Sequence, residues 1–459
     1  MYDLIIIGAG PAGMAAAATA AAGGLRVLLL DDQPRAGGQI YRNVTADAPT
    51  WLGKDYAAGL TLIAGLDHPD ITTEFGATVW RIESDPSPRI LWSQNGTSRI
   101  STAPHLLLAT GAQERPMPFP GWTLPGVMSA GAAQILMKTA GLLPRDAVLA
   151  GSGPLLYLLA AQMIDAGAPP IALVETQTPA MQLCALPHLP RALLSAPMLL
   201  KGLGLLRKIR ASGVPRHTAA HQFRAVQTDA GTIRFSFAVK GRSHQLETPL
   251  LLTHQGVIPA THISRAAGIS QHWNQVQQTM QPMVSPWGRT NQPHIHLAGD
   301  GASIAGAEAA QASGRLAALD ILHLCGKLSE DARSQRAAPD HAARIRARAI
   351  RPYLDRAYAP APEFLAPQGE TIICRCEEIT ADQIRQSLTE GANGPRQVKT
   401  ATRAGMGPCQ GRMCEAPTRG ILAECGVNHD PARARSPIKP ILLGELAALA
   451  QSSNSQPSG

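Results

Sequence analysis

Residues 2–32 read YDLIIIGAGPAGMAAAATAAAGGLRVLLLDD, and this stretch decides the fold. YDLIIIG is a continuous apolar run that predicts a short buried strand. The alanine-rich segment over about 12–22 predicts a helix, and RVLLLDD at 26–32 predicts a second buried strand. Between strand and helix, GAGPAG places Gly8, Gly10 and Gly13 around Pro11 and Ala12. Gly8 permits the tight turn, Gly10 lets a pyrophosphate approach the backbone, and Gly13 lets the helix pack close to the strand. The helix then presents its unpaired N–H groups to the phosphates. Asp31 follows Gly8 by 23 residues, where an acidic side chain accepts hydrogen bonds from ribose hydroxyls, and Asp32 competes if the register slips by one.

The same grammar returns in AVLAGSGPLL at 147–156, followed by a helix to about 166 and the strand IALVE at 171–175. Here Gly151 and Gly153 are kept, but Leu156 stands in place of the third glycine. A leucine there is expected to hold the helix off the strand or to crowd a pyrophosphate. Glu175 at the strand end suits a ribose diol better than a 2′-phosphate, so the second turn reads as a degenerate site for NAD or ATP, or as a structural relic. HLLLATGAQERP at 105–116 and HIHLAGDGA at 294–302 read as strands that close the first fold.

The expected class is α/β, with two Rossmann-like dinucleotide domains and a small C-terminal module. The boundaries are 1–120 and 246–330 for the first domain, 121–245 for the second, 331–370 for a helical connector, 371–430 for the module and 431–459 for a tail.

The chain has 459 residues, 45% of them hydrophobic, a net charge of +8 and seven cysteines. That length suits several domains, and the sparse, odd cysteine count suits a reducing compartment with thiols free to bind metal. The chain opens directly into a strand, which adds to the expectation of a cytoplasmic protein. LLYLLAAQMIDAGAPPIALV is interrupted by Asp165 and two prolines, so no transmembrane span is expected. Peripheral contact with the inner membrane face stays open. The charge comes with no nucleic-acid module, and no nucleic-acid partner is expected.

The module carries TIICRCEEIT and GMGPCQGRMC: Cys374-x-Cys376, 32 residues, then Cys409-x4-Cys414. Four thiolates in two close pairs suit zinc or an iron–sulfur cluster. Cys-x-Cys is tighter than the usual zinc spacing, and the glycines at 405, 407 and 411 leave N–H groups free to face bridging sulfides. Thr380 and Gln383 form a capping-box start for ADQIRQSLTEG. Cys184 and Cys325 read as buried packing cysteines and Cys425 as a spare thiol. The sequence shows no redox-active cysteine pair beside the first fold.

GAGPAG, GGQIYR at 37–42, ATG at 109–111 and AGDG at 298–301 resemble the two-dinucleotide-domain flavoproteins related to glutathione reductase. The resemblance implies FAD in the first fold. It implies that Asp300, beside Gly299, contacts the flavin phosphate or ribityl chain, that Gly38, Gln39, Tyr41 and Arg42 line the isoalloxazine, and that Ala109, Thr110 and Gly111 complete the cradle. The cysteine module resembles the bacterioferritin-associated ferredoxin type, which implies a [2Fe–2S] cluster, although the closing gap here is four residues and not two.

ATGAQERPMPFPGWTLPGVMSAGAAQ at 109–134, with GSGPLL, AGDG and the module, is similar to the large subunits of opine oxidases, hydrogen cyanide synthase and related heteromeric amine dehydrogenases. That likeness implies an electron-transferring subunit. Its partner, an amine-oxidising FAD-containing subunit, takes hydride from an imino acid, opine or related secondary amine, and a quinone or other acceptor lies downstream. Likeness to sarcosine oxidase heteromers allows an FMN at the subunit interface. A stand-alone NAD(P)H-dependent reductase and a non-catalytic redox sensor are the alternatives. No catalytic residue is assigned. The basic, leucine-rich segment 187–213 reads as helical, either a partner or membrane surface or simply a cover for the second fold. The arginines at 344, 346, 348 and 351 read as a solvated helix face.

Overall fold

A computed structural model describes residues 1–45, 47–427, 432 and 434–454. The first sheet is parallel, in the order Ile295–Leu297, His105–Leu108, Leu4–Ile7, Val27–Asp31, Ile71–Phe75. Its central strands are apolar on both faces because both faces are covered. On one side lies the helix Pro11–Ala22, itself covered by the helix Ala307–Leu324. A Cβ on Gly314 would stand 2.1 Å from the Ala12 carbonyl oxygen, so these two helices meet backbone to backbone. Their small residues permit that approach. The other side is covered by the antiparallel strands Thr78–Glu83, Arg89–Gln94 and Thr97–Thr102, which bring Ile82, Ile90 and Trp92 into the core.

The second sheet is also parallel, in the order Arg216–His217, Ala172–Glu175, Ala147–Ser152, Leu250–Gln255, Val127–Ser129. The strand Leu250–Gln255 therefore belongs here, which corrects the boundary expected at 246. An apolar run such as LLLTHQ fits either sheet, and only its pairing with Ala147–Ser152 decides. Leu156 is fully buried among Leu149, Leu159 and Leu252, so it packs into the core and does not crowd the turn.

The connector forms the helices Glu330–Ala349, Arg351–Ala357 and Pro362–Leu365. Of its arginines, Arg346 and Arg348 are exposed, whereas Arg344 and Arg351 are half-buried; Arg344 donates to the Pro286 carbonyl and Arg351 pairs with Asp355. The module is a hairpin, Ile372–Cys374 with Ile379–Thr380, followed by the helices Ala381–Thr389, Pro395–Thr402 and Glu415–Glu424 around Ile373, Ile384, Val398 and Ile421. Both hydrogen bonds of the expected capping box at Thr380 and Gln383 are present. In the tail, Ile438 donates to the Trp80 carbonyl, Lys439 pairs with Asp32, and a helix runs Leu443–Asn454. Residues 455–459 of QSSNSQPSG lie outside the described residues.

Among the described residues one helical stretch, Pro179–Ala211, is long and apolar enough to cross a membrane by length and composition alone, and little of it is buried. It is broken into the short helices Pro179–Ala185 and Leu189–Ala192 and the longer Ala196–Ala211, with 3₁₀ turns between them. Leu183, Leu186, Leu193, Leu194, Leu200 and Leu203 are exposed. Cys184 lies on this arm and is exposed, not buried, while Cys325 is partly buried.

Candidate functional site

Three turns meet at the carboxyl edge of the first sheet. In the first, a Cβ on Gly8 would stand 2.5 Å from the Ala109 carbonyl oxygen and one on Gly13 1.8 Å from the Gly8 carbonyl oxygen, whereas one on Gly10 would find its nearest neighbour, Gly38, at 3.8 Å. Gly8 and Gly13 are thus required by packing. Gly10 is left open on the side a phosphate would approach, in front of a helix whose N-terminus has no side-chain cap. The second turn, Ala109–Gly111, lies against the third, since a Cβ on Gly301 would stand 3.2 Å from the Gly111 carbonyl oxygen. Asp300 in the third turn is largely buried and accepts N–H bonds from Ala305 at 2.8 Å and Gly306 at 3.1 Å; burial holds its carboxyl above the usual carboxylate range. Both of these bonds fall on Oδ1, which leaves Oδ2 as the oxygen for a ligand.

Asp31 and Asp32 divide their work differently from the first expectation. Asp31 is buried, and both of its oxygens are taken by backbone N–H groups, Ala9 at 2.6 Å and Gln33 at 2.8 Å. Burial nevertheless keeps its pKa raised. Asp31 therefore ties the glycine turn to the second strand. Asp32 is exposed; burial raises its pKa, but Lys439 more than offsets this and holds it below the usual range. Gln33 Nε2 donates to its Oδ1 at 3.0 Å and Lys439 pairs with its Oδ2, so Asp32 is the solvent-facing carboxylate of the two.

The GGQIYR loop needs a correction. Gly38 packs against Gly10, the Gly37 N–H donates to the Ala9 carbonyl at 2.9 Å, and Gln39 is exposed, but Tyr41 is buried over Gly59 in the core. Arg42 is also buried; it donates to the Gly38 carbonyl at 3.1 Å and pairs with Gln33. The loop curls into a turn, so these two side chains point back into the fold. Sequence reasoning missed Lys138. Its ammonium caps the Gln39 and Ile40 carbonyls at 3.1 and 3.0 Å, and burial lowers its pKa to about 8. A lone lysine in an apolar helix was its only signal.

At the glycine turn of the second fold, the nucleotide role expected of Glu175 is not met. Gly151 and Gly153 have φ of +130° and +125° and wrap His254, whose imidazole would stand 3.1 Å from a Cβ on Gly153. His254 is hydrogen-bonded to Glu114 at 2.6 Å. Glu175 is 1% exposed and fully engaged: Arg216 donates to both of its oxygens at 2.8 Å and the Tyr157 hydroxyl donates at 2.6 Å. Its carboxylate therefore does not face a ribose.

In the module, Cys374 sits beside Cys414 and Cys376 beside Cys409. The contact with Cys414, helped by the Gly405, Glu377 and Cys376 N–H groups, brings Cys374 down to about 5, and the same contact with burial pushes Cys414 up. Two adjacent thiols cannot both ionise without a neighbouring cation, so two such pairs are a donor set that suits a pair of irons. Gly407 packs directly on Cys376, where a Cβ would stand 2.1 Å from the cysteine Cβ. Among the described residues no three His, Cys, Asp or Glu side chains converge around one point close enough for a single ion.

The module is docked on both dinucleotide folds. Gln113, two residues after Gly111, donates to the Arg412 carbonyl at 3.0 Å; Arg265 forms a two-pronged pair with Glu415; and Trp122 donates to the Ile372 carbonyl at 2.7 Å. Arg375, between the first two cysteines, lies 5.8 Å from the centre of the Trp122 ring. The strand that follows the Ala109–Gly111 turn and the cysteine loop are therefore joined through one side chain.

Residues 2–314 match the pyridine nucleotide-disulphide oxidoreductase family, and residues 372–424 match the BFD-like [2Fe-2S] binding domain. The chain belongs to this family of FAD-dependent oxidoreductases, in the branch that carries a fused [2Fe–2S] domain. Within it the chain is 45% identical to one of the subunits of opine oxidase from Agrobacterium tumefaciens (strain Ach5), over 98% of this chain and 92% of that one. It is 33% identical to the hydrogen cyanide synthase subunit HcnB of Pseudomonas protegens, over 95% and 96%. The fold matches a crystal structure of L-proline dehydrogenase from P. horikoshii at a TM-score of 0.71 and 17% identity, over 97% of this chain and 79% of that one.

Proposed function

We propose that this chain is the flavin and iron–sulfur subunit of a heteromeric dehydrogenase that oxidises an opine, imino acid or related secondary amine. The observation that carries this reading is the Gln113–Arg412 contact, which ties the turn of the FAD fold to the loop between Cys409 and Cys414. A bound flavin accepts two electrons together and releases them singly, and a [2Fe–2S] centre carries one at a time. The chain's own residues would serve that conversion: Gly8, Gly10, Gly13, Asp32 and Asp300 would hold the dinucleotide, and Cys374, Cys376, Cys409 and Cys414 would hold the cluster. The relatives are named as subunits, which supports a heteromer; in this reading its partner is a separate amine-oxidising flavoprotein and a quinone or other acceptor lies downstream.

The exposed leucines of 183–203 are assigned to that partner. Segment 179–213 contains five Lys or Arg residues and no Asp or Glu, so its complement is an apolar surface with an acidic rim. An anionic membrane is the other occupant a test must separate.

The test is anaerobic. Purified with the amine-oxidising subunit, the complex should bleach its flavin and reduce its cluster on addition of an opine. The isolated chain should do neither, and NADH should have no effect. Bleaching of the isolated chain by NADH would overturn the reading. Flavin in excess of one per chain in the complex would support an interface FMN, and flotation of the isolated chain with anionic vesicles would move the leucine arm from partner to membrane.

A further inference from the structure

In open α/β sheets, ligands bind outside the carboxyl ends of the strands where the strand order reverses. In the second sheet that place is above Ser152, Glu175 and Gln255, the last residues of three adjacent strands. All three are buried, at 1%, 1% and 2% exposure, as are Thr176 and Gln177 at 4% and 6%. Position for position, Ala9 and Asp31 of the first sheet are buried as Ser152 and Glu175 are; the difference lies at the glycines, where Gly8 and Gly10 are partly exposed and Gly151 and Gly153 are buried.

What covers the second edge is the chain itself. The Ala361 N–H donates to Gln255 Oε1 at 3.2 Å, and Gln255 donates to Thr176 Oγ1 at 3.0 Å. The Tyr358 ring packs edge-on to Tyr157 at 6.0 Å, above the Tyr157–Glu175 hydrogen bond, and the Ala357 carbonyl is met by Gln182 at 3.5 Å. Phe364 enters the aromatic cluster of Phe119 and Phe223, with ring centres at 6.4 and 5.4 Å. Glu363 accepts the Gln222 N–H at 2.8 Å. Two buried polar atoms near this edge, Ser152 Oγ and Gln177 Oε1, have no protein partner, as befits polar lining now covered by a carbon-rich strap.

We infer that the nucleotide crevice of the second fold has become the seat of the connector around residues 357–364, and that it takes neither NAD(P)H nor ATP. Its work is mechanical. Seven residues after Phe364 the module begins, so anchoring Tyr358, Ala361 and Phe364 fixes where Cys374 and Cys376 emerge. Trp122 and Gln113 then complete the docking. Tyr358 and Phe364 are positioning residues for the cluster, a role that rests on the electron-transfer reading above; the closure of the crevice does not.

Two measurements on the full holoprotein test the two halves separately. Equilibrium dialysis against NADH, NADPH or ATP should show no saturable binding up to about 1 mM, and amide exchange over 355–365 should not change with nucleotide. Saturable binding that accelerates exchange of this strap would overturn the closure. In the second measurement, Tyr358→Ala with Phe364→Ala should raise amide exchange of 357–371 by about tenfold or more and slow cluster reduction after rapid flavin reduction, while both cofactors stay bound by their absorbance. Phe364→Leu should restore most of the rate. Unchanged electron transfer in a variant with a loosened strap would overturn the positioning role and leave the dehydrogenase reading intact.

Discussion

Gly13 and Gly10 show how much one hydrogen in place of a methyl group decides. Gly13→Ala puts carbon 1.8 Å from a carbonyl oxygen, which forces helix and strand apart; it should lower the melting temperature and yield protein without flavin. Gly10→Ala has room at 3.8 Å. It should fold with little loss of stability yet bind FAD at least about tenfold more weakly, the cost of losing a charge-assisted contact; flavin-to-protein ratios after dialysis check both. The two aspartates split the same way. Asp32→Asn should weaken FAD binding and leave the melting temperature alone, whereas Asp31→Asn, which disturbs the Ala9 and Gln33 bonds, should lower it. The pattern of glycines and acids was legible in the sequence. Which of two adjacent carboxylates is spent on the backbone was not, because that depends on where the strand stops.

At the scale of elements, Asp320 locks the helix Ala307–Leu324 to its surroundings. It is fully buried and pairs with Arg289 at 2.8 Å, Arg333 at 2.9 Å and His296 at 3.0 Å. Burial raises its pKa, but these partners together hold it well below the usual range. A depressed carboxyl contributes stability that is complete above its unfolded pKa of about 3.9 and is lost as pH falls below that value. Asp320→Asn should cost about 3–5 kcal/mol, because Arg333 stays buried without its counter-charge; denaturant midpoints at pH 7 measure it. Thr380→Ala removes the cap of Ala381–Thr389 and should cost the module about 1 kcal/mol, read as faster loss of its visible absorbance in denaturant. The helix start at Thr380 was plain from local pattern. The Asp320 cluster joins residues from 289 to 333 and has no local signature.

The whole molecule is held by contacts between modules far apart in sequence. His262 is buried at the docking face, 3.4 Å from Arg412; desolvation, then Arg412 and Arg265, lowers its pKa to about 4. Between about pH 6.5 and 4 the unfolded or undocked state takes up a proton that the docked state refuses. Docking should therefore weaken as pH falls through that window, by a slope that approaches about 1.4 kcal/mol per pH unit, and should not depend on this group above pH 6.5. Proteolysis near residues 366–371 from pH 7 to 5 would report it, and His262→Gln should flatten the response.

By itself the sequence determined the two parallel folds, the glycine cradle and the four cysteines, because each rests on short-range rules: apolar runs for buried strands, glycine where backbones touch, thiols in pairs. Only the tertiary structure decided that Tyr41, Arg42 and Glu175 face inward and that Leu250–Gln255 joins the second sheet. It also decided that a distant connector lies across the second crevice. Those outcomes depend on which surfaces compete for the same space, and a chain settles that competition only when remote segments meet.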